Sequence, residues 1–165
     1  MQKVNPLQGK WRNVVFFLTA LLVVAADQLS KPWVRSNLAI GESLFEVGIF
    51  SLTHLHNTGA AFGLFQGQSF PLTIVAIISA IALLFYALFI YRLSPLLDNR
   101  LSKVALGLVL GGTVGNLIDR LRFGGVTDFI KVGFWPAFNI ADSALTVGVI
   151  LFAYSFLRLA RAERH

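Results

Sequence analysis

The sequence predicts an all-α membrane protein in which four transmembrane helices carry a small, partly β element on the outer side of the bilayer. Of the 165 residues, 56% are hydrophobic and 13% are charged, and the mean hydropathy of +0.71 is too high for an ordinary soluble domain. Four segments approach the roughly 20 residues that an α-helix needs to cross a bilayer. We therefore expect one integral membrane domain covering residues 1–165.

The predicted spans cover residues 14–33, 70–91, 104–121 and 139–158. The second span is the clearest because it contains no charged residue. The third and fourth spans carry polar and ionisable residues at one end, which lowers their hydropathy. An ionisable group at mid-bilayer costs roughly 2.5–3.5 kcal/mol on insertion scales, so several such groups at one depth indicate a functional site.

The first apolar segment has two interpretations that its residues leave open. It is long enough to be a membrane span, but basic residues precede it and it ends in the small pair Ala25-Ala26. That combination is also typical of a cleavable signal peptide. The span is the preferred interpretation, and the mass of the intact protein distinguishes the two.

The distribution of charge predicts how the chain is inserted. With both termini in the cytoplasm, most lysines and arginines fall on the inner side and most acidic residues on the outer side, as the positive-inside tendency requires. Trp33 and Trp135 then lie near the outer interface, where aromatic residues are enriched. This topology explains the excess of basic residues that gives the formal net charge of +6. Because the bases form no stripe interleaved with aromatics, we predict no nucleic-acid partner.

The outer element is predicted at residues 34–69, between the first two spans. Residues 50–56 alternate apolar and polar side chains, which favours a short strand. On a strand His54 and His56 would point the same way, as a metal pair does, but the only other histidine is at the far terminus. We therefore predict no metal site and no cofactor, and the absence of cysteine excludes thiolate ligands and disulfides.

The third span places polar residues on one helical face. Asn116, Asp119 and Arg120 are spaced i, i+3 and i+4, and Gly112 continues that face inward. We expect Asp119 and Arg120 mainly to neutralise each other at the helix end. The same helix carries three glycines whose small-xxx-small spacing allows another helix to approach closely: Gly107, Gly111 and Gly115.

The start of the fourth span carries Asn139 and Asp142, which are i, i+3 neighbours. Asn139 is the better-placed helix cap, and a role for Asp142 as a helix-dipole partner, worth at most about 1 kcal/mol, explains it only weakly. Asp128 precedes this helix through a loop containing Trp135 and Pro136, and such a loop can bring Asp128 towards Asp142. Two carboxylates in a low-dielectric site share a proton, which is the chemistry of aspartic proteases.

Asp27 and Lys31 have the i, i+4 spacing, acid first, that favours an ion pair on one helix. Local neutralisation explains this pair, although Asp27 can also face the bundle. A different class of protein remains open at this point: a small proton or cation carrier that uses intramembrane aspartates as a relay. The acids gather near one face instead of following one another through the membrane, which argues against the carrier.

Five short motifs occur in order along the chain. They are residues 27–31 (DQLSK), 57–63 (NTGAAFG), 112–120 (GTVGNLIDR), 126–129 (VTDF) and 138–143 (FNIADS). In order, spacing and four-span layout they closely resemble the lipoprotein signal peptidases (signal peptidase II). Any one motif is weak, but the resemblance covers nearly the whole chain.

The resemblance implies a multi-pass bacterial inner-membrane aspartic endopeptidase that removes the signal peptide from diacylglyceryl-modified prolipoproteins, cutting just before the lipidated cysteine. It implies that Asp128 and Asp142 are the catalytic pair and that the active site lies near the extracytoplasmic face. Family members are targets of the antibiotic globomycin. We expect membrane lipid as a partner and a monomeric chain. Further residues match the family's supporting positions, which line the site, position substrate or hold the helices: Asp27, Lys31, Asn57, Gly59, Gly112, Asn116, Asp119, Arg120 and Asn139.

Overall fold

A computed structural model describes residues 6–59, 65–89 and 99–162. Four helices make up most of this part of the chain: α1 Pro6–Asn37, α2 Ser69–Leu88, α3 Arg100–Phe123 and α4 Ile140–Ala162. Three strands complete it: β1 Ser43–Val47, β2 Phe50–Asn57 and β3 Val126–Val132. Each helix contains a stretch long and apolar enough to cross a membrane. The predicted fold class is therefore confirmed.

The helices run beyond the predicted spans at several ends. α1 begins before residue 14 and continues past residue 33 to Asn37, and α3 begins at Arg100. Backbone hydrogen bonds can continue into the bilayer interface, which a hydropathy pattern does not report. Residues 60–64 of the predicted outer element and residues 90–91 of the second predicted span lie outside the described residues.

α3 is the central helix of the bundle. Within its apolar window 61% of the residues are buried, against 17–22% for the other three helices. It packs against α1, α4 and, over a shorter length, α2. The other three helices expose many apolar side chains, among them Leu21, Val75 and Ile150, as helices that face lipid do.

Glycines permit the close packing of α3. A side chain at Gly107 would overlap the backbone carbonyl oxygen of Phe16 on α1, and one at Gly111 would meet α1 in the same way. On another face, a side chain at Gly112 would overlap the carbonyl oxygen of Ala141 on α4. The predicted close helix contact is confirmed, and Gly112 extends it to a second helix.

The three strands form one antiparallel sheet in the order β1-β2-β3. β2 matches the strand predicted at residues 50–56, whereas β1 and β3 have no counterpart in the prediction. Leu55 on β2 lies opposite Asp128 on β3. Phe129 of the same strand packs on Val34 and Leu38 near the end of α1. The sheet is thus fixed to the bundle, and it carries Asp128 to the ends of α3 and α4.

Gly112→Ala tests the contact between α3 and α4. We expect it to lower the free energy of unfolding by about 1–3 kcal/mol, because the added methyl group must displace the backbone of α4. Ala82→Val, which adds volume on the exposed side of α2, is the matched control and should change stability by less than about 0.5 kcal/mol. Denaturant unfolding in detergent measures both, and equal losses would contradict the close contact.

Candidate active site

A cavity of about 340 Å³ lies between α3, α4 and the sheet. Its polar lining comes from all of these elements: Asn57, Asn116, Arg120, Asp128, Asp142, Ser143 and Thr146. The rest of the lining is apolar and comes mainly from the loop before α4: Val126, Trp135, Pro136, Ala137, Phe138 and Val147. The cavity is therefore a mainly apolar pocket that contains two aspartates.

Asn139 connects the two aspartates. It is completely buried, and its Nδ2 donates to Asp128 Oδ1 at 2.7 Å. Its backbone N–H donates to Asp142 Oδ2 at 3.2 Å, while its Oδ1 accepts from the backbone N–H of Asp142 at 2.9 Å. This reciprocal pair caps the start of α4. The predicted cap of the helix is thus also the residue that holds Asp128 beside Asp142.

Each aspartate receives a further amide donor. Asn116 Nδ2 on α3 donates to Asp142 Oδ1 at 2.7 Å, and Asn57 Nδ2 at the end of β2 donates to Asp128 Oδ2 at 2.9 Å. All four carboxylate oxygens therefore accept a hydrogen bond. This arrangement compensates for burial, since Asp128 is only 3% exposed.

Behind Asn116 lies a buried ionic cluster. Lys31 Nζ on α1 is 2.8 Å from Asp27 Oδ2 and 3.4 Å from Asp119 Oδ2, and all three side chains are fully buried. Lys31 also donates to Asn116 Oδ1 at 3.0 Å, and Arg35 Nη1 is 3.6 Å from Asp119 Oδ2. The predicted pair of Asp27 and Lys31 is present, but as part of a cluster that joins α1 to α3.

The expectation that Asp119 and Arg120 neutralise each other is wrong. Adjacent residues on a helix point about 100° apart, so Asp119 faces α1 while Arg120 faces the cavity. Arg120 Nη2 donates to Gly59 O at 3.1 Å. Its Nε is buried and has no hydrogen-bond partner in the described part of the chain. Arg120 therefore belongs to the cavity and not to an ion pair with Asp119.

Burial raises the pKa of Asp128 to about 7, and the negative charge of Asp142 adds to the rise. Hydrogen bonds from Asn57 and Asn139 and the positive charge of Lys31 oppose the rise without cancelling it. Near neutral pH Asp128 is therefore able both to release and to accept a proton, as a general acid or base must.

His54 and His56 lie in different surroundings. A bulge between Leu52 and Leu55 interrupts the strand alternation. His54 is buried and donates from Nδ1 to Leu38 O at 2.9 Å, whereas His56 is exposed. Within residues 6–59, 65–89 and 99–162 no three acidic or histidine side chains are grouped in a way that could hold a metal ion.

The residues predicted for the site lie in two layers. The layer at the cavity consists of those that line it or bind its carboxylates: Asn57, Asn116, Arg120, Asp128, Asn139 and Asp142. The layer behind it is ionic and consists of Asp27, Lys31 and Asp119. Gly59 contributes a carbonyl oxygen, and Gly112 contributes the space that α4 needs.

Sequence reasoning missed Arg35 and Thr127. Arg35 lies one helical turn after Lys31, and that spacing is a signal that could have indicated its role. Arg35 Nη1 donates to Thr127 Oγ1 at 2.9 Å, and the Thr127 backbone N–H donates to Asp119 Oδ2 at 3.0 Å. No local pattern indicates Thr127, because its contacts depend on where β3 meets α3.

Solved membrane enzymes share this fold. A bacterial membrane enzyme determined by the in meso method matches with a TM-score of 0.78 and 36% sequence identity, over 87% of each chain. A second structure described in the same words matches with a TM-score of 0.74 and 36% identity, over 86% of this chain and 92% of the other. Fold and cavity together define the class as a multi-pass membrane enzyme.

A family model described as Signal peptidase (SPase) II matches residues 19–158. The lipoprotein signal peptidase of Dehalococcoides mccartyi is 53% identical over 84% of this chain and 86% of the relative. That of Moorella thermoacetica is 47% identical over 86% of this chain and 92% of the relative. The chain belongs to the signal peptidase II family, as its motifs predict, and it is a membrane peptidase. Nothing in these comparisons favours the ion carrier.

Substitutions of Asn139 separate its two contacts. Asn139→Ala removes both the cap of α4 and the hydrogen bond to Asp128, and we expect it to cost about 1–3 kcal/mol of unfolding free energy. Asn139→Ser keeps a capping oxygen but is too short to reach Asp128, so it should recover about 1 kcal/mol of that loss. Unfolding of both variants in detergent measures the difference. A serine variant no more stable than the alanine variant would show that Asn139 is not an effective cap.

The raised pKa of Asp128 predicts that stability depends on pH. The folded protein binds this proton more tightly than the unfolded chain does, so between about pH 4 and pH 7 the free energy of unfolding falls as pH rises. Asp128→Asn has no ionisable group at this position, so its free energy of unfolding does not decrease in this way as pH rises. Its Tm should therefore rise relative to wild type between about pH 4 and pH 7. A Tm difference that is constant with pH would contradict the raised pKa.

Proposed function

We propose that this chain is an aspartic endopeptidase that removes the signal peptide from diacylglyceryl-modified prolipoproteins and cuts just before the lipidated cysteine. Asp128 and Asp142 are the catalytic pair. The observation that carries this proposal is the arrangement of two carboxylates around Asn139 at a mainly apolar cavity. The lipoprotein signal peptidases that the chain resembles support the choice of substrate.

One aspartate is ionised and the other is protonated when the substrate binds, as two carboxylates in one low-dielectric site require. The ionised carboxylate takes a proton from water, whose oxygen forms a bond to the scissile carbonyl carbon. The protonated carboxyl donates its proton to the carbonyl oxygen, which gives a neutral tetrahedral diol. Proton transfer to the peptide nitrogen then allows the C–N bond to break, which leaves a carboxylic acid and an amine.

The apolar lining suits a substrate that carries acyl chains. Trp135, Pro136 and Phe138 line the cavity on the loop before α4, and Val147 lines it from α4 itself. We propose that both termini are cytoplasmic, as the charge distribution predicts, and that this cavity lies near the extracytoplasmic face. A lipidated cysteine at the cavity can then keep its acyl chains in the surrounding membrane lipid.

The remaining site residues position the reacting groups. Asn57, Asn116 and Asn139 orient the two carboxylates through the hydrogen bonds described above. Arg120 lines the cavity with a positive charge, and we assign its guanidinium group to a carbonyl oxygen of the bound peptide. One chain supplies every residue of this arrangement, so the proposed mechanism needs no residue from a second copy.

Asp128→Asn and Asp142→Asn test the catalytic pair. Each should reduce cleavage by at least about a hundredfold, because each keeps the size of the side chain and removes a proton-transfer group. The assay is cleavage of a diacylglyceryl-modified prolipoprotein in detergent, with the product mass locating the cut. Glu46→Gln, at an exposed position of β1, is the control and should cleave at the wild-type rate.

Full activity in either aspartate variant would contradict the catalytic pair. A folded wild-type protein that never cleaves the lipidated substrate, but transports ions across liposome membranes, would instead support the carrier alternative.

A further inference from the structure

Lys31 makes one contact that is not needed to neutralise its positive charge. An ammonium group has three N–H donors and no acceptor, and Lys31 has three acceptors around it. Asp27 and Asp119 are two of these and neutralise the charge. The third is the neutral amide oxygen of Asn116, at 3.0 Å. This contact points the lysine towards the aspartate pair.

The contact fixes the direction of the Asn116 amide. Because Lys31 can only donate, the atom of Asn116 that faces it is Oδ1, and Nδ2 must then face Asp142 Oδ1 at 2.7 Å. Asn139 Nδ2 also donates to Asn116 Oδ1, at 3.1 Å. A rotated Asn116 amide would turn its oxygen towards the Asp142 carboxylate and its N–H groups towards two other donors. Asn116 is therefore locked as a donor to Asp142.

The two asparagines that donate to the aspartates differ in the groups that donate to their own amide oxygens. Asn116, which donates to Asp142, accepts from the charged ammonium of Lys31. Asn57, which donates to Asp128, accepts from the neutral Gly59 N–H at 2.9 Å and Gln66 Nε2 at 3.2 Å. An amide polarised by a cation is the stronger donor, and a stronger donor favours an ionised acceptor.

Building on the catalytic pair proposed above, we propose that Lys31 is a positioning residue that acts through Asn116 to hold Asp142 as the ionised base of the pair, leaving Asp128 as the protonated acid. The charged groups that act on the pair come from α1 and α3 and are Asp27, Lys31 and Arg120, with Asp119 and Arg35 in the ionic cluster behind them. Among the described cations of this set, Lys31 is the one that a single hydrogen-bonded side chain links to Asp142.

A charge-balanced double variant isolates this role. Asp27→Asn combined with Lys31→Met removes one anion and one cation, so the net charge of the cluster is unchanged and Asp119 keeps Arg35 as its partner. The new amide at position 27 can still accept from the Ala141 N–H, as Asp27 Oδ1 does at 3.1 Å. Arg35→Met is the matched control, because it removes a cation that contacts Asp119 and does not contact Asn116.

The measurement is the pH dependence of kcat and KM for a diacylglyceryl-modified prolipoprotein, made on wild type and both variants. We expect the acid limb of the kcat profile of the double variant to move to higher pH by about one unit. On that limb kcat should fall about tenfold, with KM within about twofold of wild type. Arg35→Met should leave the acid limb within about 0.3 units of wild type. A purely structural role for Lys31 would lower Tm without moving the limb, so an unmoved limb in the folded double variant overturns the proposal.

Asn116→Leu gives a second route if the double variant does not fold. It keeps the branched shape and heavy-atom count of the asparagine side chain and leaves Lys31 with Asp27 and Asp119, while Asp142 loses its donor from Asn116. The proposal requires the acid limb to move to higher pH in this variant, and an unmoved limb overturns it. Asp128→Asn and Asp142→Asn separate the two failures: if either keeps full activity the catalytic pair is wrong, and if both are inactive while the limb does not move, only the role of Lys31 is wrong.

Discussion

The contact of Lys31 with Asp27 and Asp119 is the interaction on which the polar centre depends, because carboxylates can be buried in a membrane protein only when they are neutralised or hydrogen-bonded. Removing one partner of such a group typically costs roughly 3–5 kcal/mol, since a buried charge is left unpaired. The cluster joins α1 to α3, and Asp27 Oδ1 also accepts from the Ala141 N–H of α4. One ionic centre thus fixes three helices relative to one another.

Close approach of the helices makes this centre possible. A side chain at Gly115 would come within 2.7 Å of Asp27 Oδ2, and glycine leaves that space to the carboxylate. In lipid there is no hydrophobic force that drives helices together, so small residues and polar contacts must provide the association energy. α3 carries both, with glycines against α1 and α4 and with Asn116 and Asp119 on the same helix. The glycines and polar residues that let α3 pack centrally also give it the lowest mean hydropathy of the four candidate spans.

Hydropathy and local spacing were sufficient to predict the four helices, the close approach of another helix to α3, and Asn139 as a cap. They were insufficient where a contact depends on distant parts of the chain. β3 (VTDFIKV) is buried along most of its length and does not alternate, and its pairing with β2 spans a long stretch of sequence. Asp119 finds its partners on another helix. The roles of Asp128 and Asp142 come from chemistry and family resemblance and stay a prediction.

An aspartic pair needs two chemically identical groups to hold different protonation states at once, and the two elements that carry this pair already make the groups unequal. Asp142 lies in the first turn of α4, where the helix dipole stabilises negative charge. Asp128 lies on a buried strand without a helix terminus behind it, so no helix dipole favours its ionised form. Asn139 links the two, since it caps the helix and donates to the strand aspartate. The strand and the helix therefore favour the same assignment of acid and base as the Lys31 contact does, so the asymmetry rests on the fold as well as on one lysine.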